Sequence, residues 1–326
     1  MHGVSLHTIR SVPSLRGILG RAVSLPAIFR DPEIQTWQSR ISDDGCHIEK
    51  ESLSKRRTLM IEIDMPENFV AYGKRFRFVK EAITAAFPLR PQQSIRVLDV
   101  GCGNGSQLAL PLARCGYDLT GIDLDARSVE HGRKLAAGMS NARFLVGTME
   151  NLREAPFDVV VLSEVLEHVS NPTSLLWASL TPLLPNGIVI VTVPNGYGGF
   201  EIDSWIYRKL HLATAVGLLR ALAHRIFPNT QPEGISEEGL PSTDNQECGH
   251  VQFFTRRRLK RMFAECSLSV VKEAPASFLC GPMIAHTLAH SHRFIEWNSR
   301  ITDRLPLALA SGWYFLLQRR DGGAVP

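Results

Sequence analysis

Glu164, Glu167 and His168 stand at positions i, i+3 and i+4 in Ser163-Glu164-Val165-Leu166-Glu167-His168. On a helical turn that spacing brings three side chains to one face. Two carboxylates and an imidazole form an oxygen-rich set suited to magnesium or manganese. His250, in Gly249-His250-Val251-Gln252, supplies a fourth ligand if the chain returns to the same place. Either histidine is also of the right type to act as a general base, with Glu167 beside it. A second cluster is Val97-Leu98-Asp99-Val100-Gly101-Cys102-Gly103-Asn104-Gly105. Its glycines let the backbone approach a ligand and adopt conformations that a Cβ would forbid. The loop opens a helix, as in nucleotide sites. The third glycine comes one residue too early for the Gly-x-Gly-x-x-Gly fingerprint of nicotinamide dinucleotide sites. Asp123 follows Gly103 by twenty residues and ends the next apolar run, where a carboxylate can accept hydrogen bonds from both ribose hydroxyls.

The elements that must position these residues alternate between strand and helix. Apolar, β-branched runs at Ile95–Val100, Asp118–Ile122, Arg143–Val146, Phe157–Leu162 and Ile188–Val193 predict strands buried on both faces. Between them, Ser106–Cys115, Ala126–Gly138 and Ser174–Leu184 predict helices, and Glu67–Phe87 predicts another that ends before Pro88. Thr255–Ala264 predicts a short basic helix, and Leu268–Val271 and Trp313–Leu317 predict strands that complete the sheet. Right-handed crossovers then give an α/β fold, a doubly wound, mostly parallel seven-stranded sheet. Residues 1–65 form a leader, 66–320 the main domain, 196–249 an inserted lid or acceptor-binding segment, and 321–326 a tail. Polar residues spaced three and four apart over Ser204–Phe227 leave a wide apolar face on a basic helix, which suits a lid, core packing or peripheral membrane contact.

The strand carrying Asp99 and the loop Gly101-Cys102-Gly103-Asn104-Gly105 resemble the first motif of class I methyltransferases. The segments FDVVVLSEVLEH and LPNGIVIVTVPN resemble later motifs of that family. The likeness is close over Phe87–Asn195 and loose over 250–318. It implies a Rossmann-like fold that binds S-adenosyl-L-methionine. Asp99, Gly101, Cys102, Gly103 and Gly105 would face the methionyl end, and Asp123 and Leu124 the ribose. Thr148 and Met149, in Gly147-Thr148-Met149-Glu150, would line the adenine, and Glu164 would sit beside the cofactor. The Glu-x-x-Glu-His wording with an insertion after the fifth strand resembles the ubiquinone-pathway O-methyltransferases. Adding His250, it also resembles the small-RNA 3′-terminal 2′-O-methyltransferases. Both resemblances imply methyl transfer to oxygen, on a small, lipid- or glycan-linked acceptor or on an RNA end. A non-catalytic subunit that keeps the cofactor fold is a further alternative: the glycine loop and Asp123 argue against lost cofactor binding but not against lost catalysis, and methylation of nitrogen or carbon stays open.

Composition sets the frame. The chain has 326 residues, 44% hydrophobic, with a net charge of +4 that neither demands nor excludes an anionic partner. Six cysteines form no Cys-x-x-Cys pair and read as reduced thiols of a cytoplasmic protein. No apolar run reaches the length of a membrane span. Residues 1–30 carry four arginines and no acid, which fits either a basic arm or a transit peptide leading to the mitochondrial matrix. Arg256, Arg257 and Arg258 read as a solvated helix face more readily than as a nucleic-acid contact. His286, His290 and His292 lack the companions of a zinc site. Nothing in the sequence fixes the oligomeric state.

Overall fold

The computed structural model describes residues 67–320, apart from 69, 154–155, 210–249, 283, 285–287 and 289–290. The expected leader, most of the inserted segment, His286, His290 and the tail lie outside the described residues.

Helix α1 spans Tyr72–Ala86. It starts later than its periodicity predicts because Ala71, just before it, takes a left-handed backbone (φ +62°), while Asn68 Oδ1 accepts the Tyr72 amide at 3.0 Å. Strands β1 Arg96–Val100, β2 Asp118–Asp123, β3 Ala142–Val146, β4 Phe157–Ser163, β5 Leu183–Pro194, β6 Leu268–Pro275 and β7 Gly312–Arg319 form one sheet in the order β3-β2-β1-β4-β5-β7-β6. Strands β1 to β5 run parallel, and β7 is antiparallel to both β5 and β6. Helices α2 Ala109–Arg114, α3 Ala126–Leu135 and α4 Pro172–Leu180 connect the first five strands; α5 Gly199–Lys209, α6 Arg256–Glu265 and α7 His292–Thr302 follow. Two apolar layers sandwich the sheet. One joins α1, α2 and α3 to β1, and the other joins α4 and α6 to β4 and β5.

Three local expectations are corrected. Leu183 and Leu184 belong to β5, not to the preceding helix: a register shift opposite Phe157 and Val159 accommodates the proline and glycine that follow. Helix α2 begins at Ala109, because the Asn104 side chain holds Ser106 in a turn by its amide (3.1 Å) and hydroxyl (2.6 Å). No α-helical turn covers Glu164–His168. Glu164 takes φ +55°, and only Leu166–His168 coil, as a 3-10 turn.

The chain runs outward through β1, β2 and β3, then returns to the other side of β1 for β4 and β5. The carboxyl ends of β1 and β4 therefore meet at the switch point where such sheets bind ligands. Among the described residues no helix is long and apolar enough to cross a membrane.

Candidate active site

The loop after β1 is held tightly to β2. Gly101 and Cys102 both donate to the Ile122 carbonyl, at 2.8 and 3.2 Å. Gly103 donates its amide to Asp123 Oδ2 at 2.7 Å, while Asp123 Oδ1 accepts the Asp125 amide at 2.9 Å. Gly101, Gly103 and Gly105 all have positive φ. A Cβ on Gly101 would strike the Val165 side chain, and one on Gly105 would lie 2.5 Å from the Phe144 ring. The glycines thus let the β1 loop meet the β4 loop with no side chain between them, leaving a cradle of bare backbone. Leu124, 72% exposed, offers an apolar surface beside Asp123. Thr148 spends its hydroxyl on Asn151 Oδ1 at 3.0 Å, and half-buried Met149 packs on the core at the end of β3.

Beneath the cradle lies buried charge. Burial raises the Asp99 carboxyl to about 7, with Arg75 opposing the shift and Asp123 adding to it. Arg75, itself buried on α1, donates to Gln107 Oε1 at 3.1 Å, stacks 4.6 Å from the Tyr72 ring centre and lies 3.8 Å from Glu164 Oε1. Burial is also the main cause that raises the Tyr72 phenol. Glu164 accepts the Thr192 hydroxyl at 2.7 Å. Sequence reasoning missed Tyr72, Arg75, Gln107 and Thr192. The signal for Arg75 was an arginine inside the apolar stripe Phe76, Val79 and Ile83, where an unpaired charge is rarely tolerated.

The predicted set of four ligands divides. Glu167, His168 and His250 each place a ligand atom within 4.8 Å of the others. Glu164 is not among them; its left-handed backbone turns its carboxylate toward Thr192 and Arg75. Glu167 is 1% exposed, its Oε2 has no hydrogen-bond partner, and burial followed by the nearby Glu164 raises its carboxyl well above the ordinary range. The His168 and His250 rings meet edge to face at 5.1 Å. The return of His250 is secured by backbone, since the Glu167 carbonyl accepts the amides of Val251 (2.9 Å) and Gln252 (3.0 Å). With Glu164 elsewhere, the donor set is two nitrogens and one oxygen, which suits manganese or another transition metal better than magnesium.

Residues 72–273 match the family model described as a methyltransferase domain. The ubiquinone biosynthesis O-methyltransferase of Azorhizobium caulinodans is 37% identical over 130 residues, covering 37% of this chain and 51% of that protein. The enzyme of the same description from Brucella ovis is 35% identical over 154 residues, covering 42% and 62%. The chain thus spans about half the length of the curated relatives it matches. Among solved structures, PKMT2 from Rickettsia typhi in complex with AdoHcy aligns with a TM-score of 0.47 at 20% identity, over 74% of this chain and 53% of that one. Magnesium protoporphyrin IX methyltransferase from Synechocystis aligns with a TM-score of 0.42 at 15% identity, over 82% and 95%. With the family match reaching across more than half of its length, the chain belongs to the methyltransferase domain family and is a class I S-adenosylmethionine-dependent methyltransferase.

Proposed function

We propose that this enzyme methylates a hydroxyl oxygen of a small acceptor, lipid- or glycan-linked, and that Glu167, His168 and His250 manage the acceptor's proton. The observation that carries this is their convergence at the carboxyl end of β4, beside the glycine cradle. When bound, S-adenosylmethionine supplies an electrophilic methyl group on a sulfonium leaving group, so alignment does much of the catalytic work. Asp99 and Arg75 would offer one charge of each sign to its zwitterionic end. The 101–105 loop would accept the chain between, Asp123 and Leu124 would hold the ribose, and Met149, with Thr148, would border the base. Asp123 keeps lone pairs beyond the two amides it already accepts.

Oxygen is a poor nucleophile until its proton leaves, and His250 or His168 is placed to take that proton as general base. The buried, partnerless Glu167 Oε2 further suits a divalent cation, held by Glu167, His168 and His250, which would lower the acceptor's pKa. The relatives described as ubiquinone biosynthesis O-methyltransferases support oxygen as the acceptor atom.

Label transfer from methyl-labelled S-adenosylmethionine to a panel of catechols, phenols, polyols, amines and RNA oligonucleotides tests this reading. Small oxygen acceptors should be labelled. His250→Ala should lower turnover about 100-fold or more while S-adenosylhomocysteine affinity stays within about twofold. Label confined to amines or carbon acids overturns the reading. Label on RNA ends, with steep salt dependence, replaces it with the 2′-O-methyltransferase alternative.

A further inference from the structure

The most buried residues of helix α7 are polar: Asn298, Ser299 and Thr302. Two are bonded to other segments and one to its own helix. Asn298 donates to and accepts from the Leu279 backbone at 2.7 Å, Ser299 donates to Glu67 at 3.1 Å, and Thr302 donates to the Asn298 carbonyl at 2.6 Å. Of its large apolar side chains Phe294, Ile295 and Ile301 are half-buried, and Trp297 is 48% exposed. The spacing 294, 297, 301 puts Phe294, Trp297 and Ile301 in one stripe, with the Phe294 and Trp297 rings 5.8 Å apart. Arg293 and Arg300, seven residues apart, lie immediately beside that stripe, and Arg304 follows in the turn after the helix; all three are exposed. Arg300 is paired with Glu296 at 2.9 Å; Arg293 and Arg304 have no carboxylate partner among the described residues.

An ordinary surface helix turns its apolar stripe inward. One that leaves an aromatic of its stripe open to solvent, edged by arginines, has the form of a helix that lies at a membrane interface. We propose that α7 docks the enzyme on a lipid bilayer bearing anionic headgroups. The stripe Phe294-Trp297-Ile301 enters the headgroup boundary, and Arg293, Arg300 and Arg304 meet the lipid phosphates. A second copy is the poorer occupant, because two such faces would bring arginine rows of like charge together. This helix is a different segment of the chain from 204–227, of which only the part up to Lys209 is described, and the proposal does not depend on the acceptor being a lipid.

The test is co-sedimentation of the full chain with vesicles of phosphatidylcholine alone or with 30% phosphatidylglycerol. The paired variant Arg293→Glu/Arg304→Glu is compared with wild type, and unchanged S-adenosylhomocysteine affinity verifies that it is folded. Wild type should bind the anionic vesicles, bind neutral ones at least tenfold more weakly, and lose about tenfold or more of its affinity in the variant. Vesicles should shift tryptophan emission to the blue in wild type and in Trp205→Phe, but not in Trp297→Phe. Absence of wild-type binding, or undiminished binding by the charge-reversed variant, overturns the proposal. So does a dimer in sedimentation equilibrium that dissolves on Trp297→Ser, which would assign the stripe to a second copy.

Discussion

At the scale of single residues, the site depends on charges taken out of water. Asp99 is the clearest case, a carboxyl that burial raises from 3.8 to about 7. Between those values the folded chain keeps a proton that the unfolded chain has shed, so this residue makes stability fall as pH rises from about 4 to about 7, with no further loss above. Asp99→Asn should abolish that component. The variant should gain on wild type in thermal unfolding at pH 8 and lose the gain at pH 5; a difference between the two proteins that is independent of pH contradicts the assignment. A cationic ligand group favours ionised Asp99, so S-adenosylhomocysteine binding to wild type should weaken as pH falls below 7. Asp99 and Asp123 were legible in the sequence because fixed spacing ties them to the glycine loop. Arg75 and Gln107 were not, since a helix and a turn bring them to Asp99 and Glu164 without any local motif. Glu164 was misjudged for a conformational reason. The expected i, i+3, i+4 face requires a right-handed turn, and φ +55° at Glu164 breaks it.

At the scale of elements, the β1 and β4 loops act as one part. Gly101 touches Val165, and Val165 precedes the 3-10 turn that carries Glu167 and His168. Gly101→Ala combines a positive φ with a collision against a β-branched side chain. It should cost about 2 kcal/mol or more in denaturant unfolding and weaken cofactor binding together with it. Unchanged unfolding midpoint and affinity would show that the two loops are not in the contact described. Most elements were legible because parallel strands buried on both faces read as unbroken apolar runs, such as Val159 to Leu162. Helix α7 was invisible for the opposite reason: polar residues form its buried face, so the usual link between apolar period and core fails there. The helix expected over Ser174–Leu184 overruns because Leu183 and Leu184, with Pro185, Asn186 and Gly187 after them, lie within β5 at the irregularity opposite β4.

At the scale of the whole molecule, strand order does the assembling. Because β1 lies between β2 and β4, three loops far apart in sequence, 101–105, 123–125 and 164–168, open at one end of the sheet. The segment returning through His250 is bonded to the Glu167 carbonyl, so the chain before α6 closes the same crevice. In the proposed function Glu167, His168 and His250 work as one centre. Calorimetric titration with manganese and with magnesium tests this most directly, using wild type, His250→Ala and Glu167→Gln, each saturated with S-adenosylhomocysteine. The account predicts that manganese binds wild type more tightly than magnesium does, and that each variant loses about tenfold or more of that affinity. Binding that persists unchanged in both variants, or no binding of either ion to wild type, would contradict the proposed metal centre.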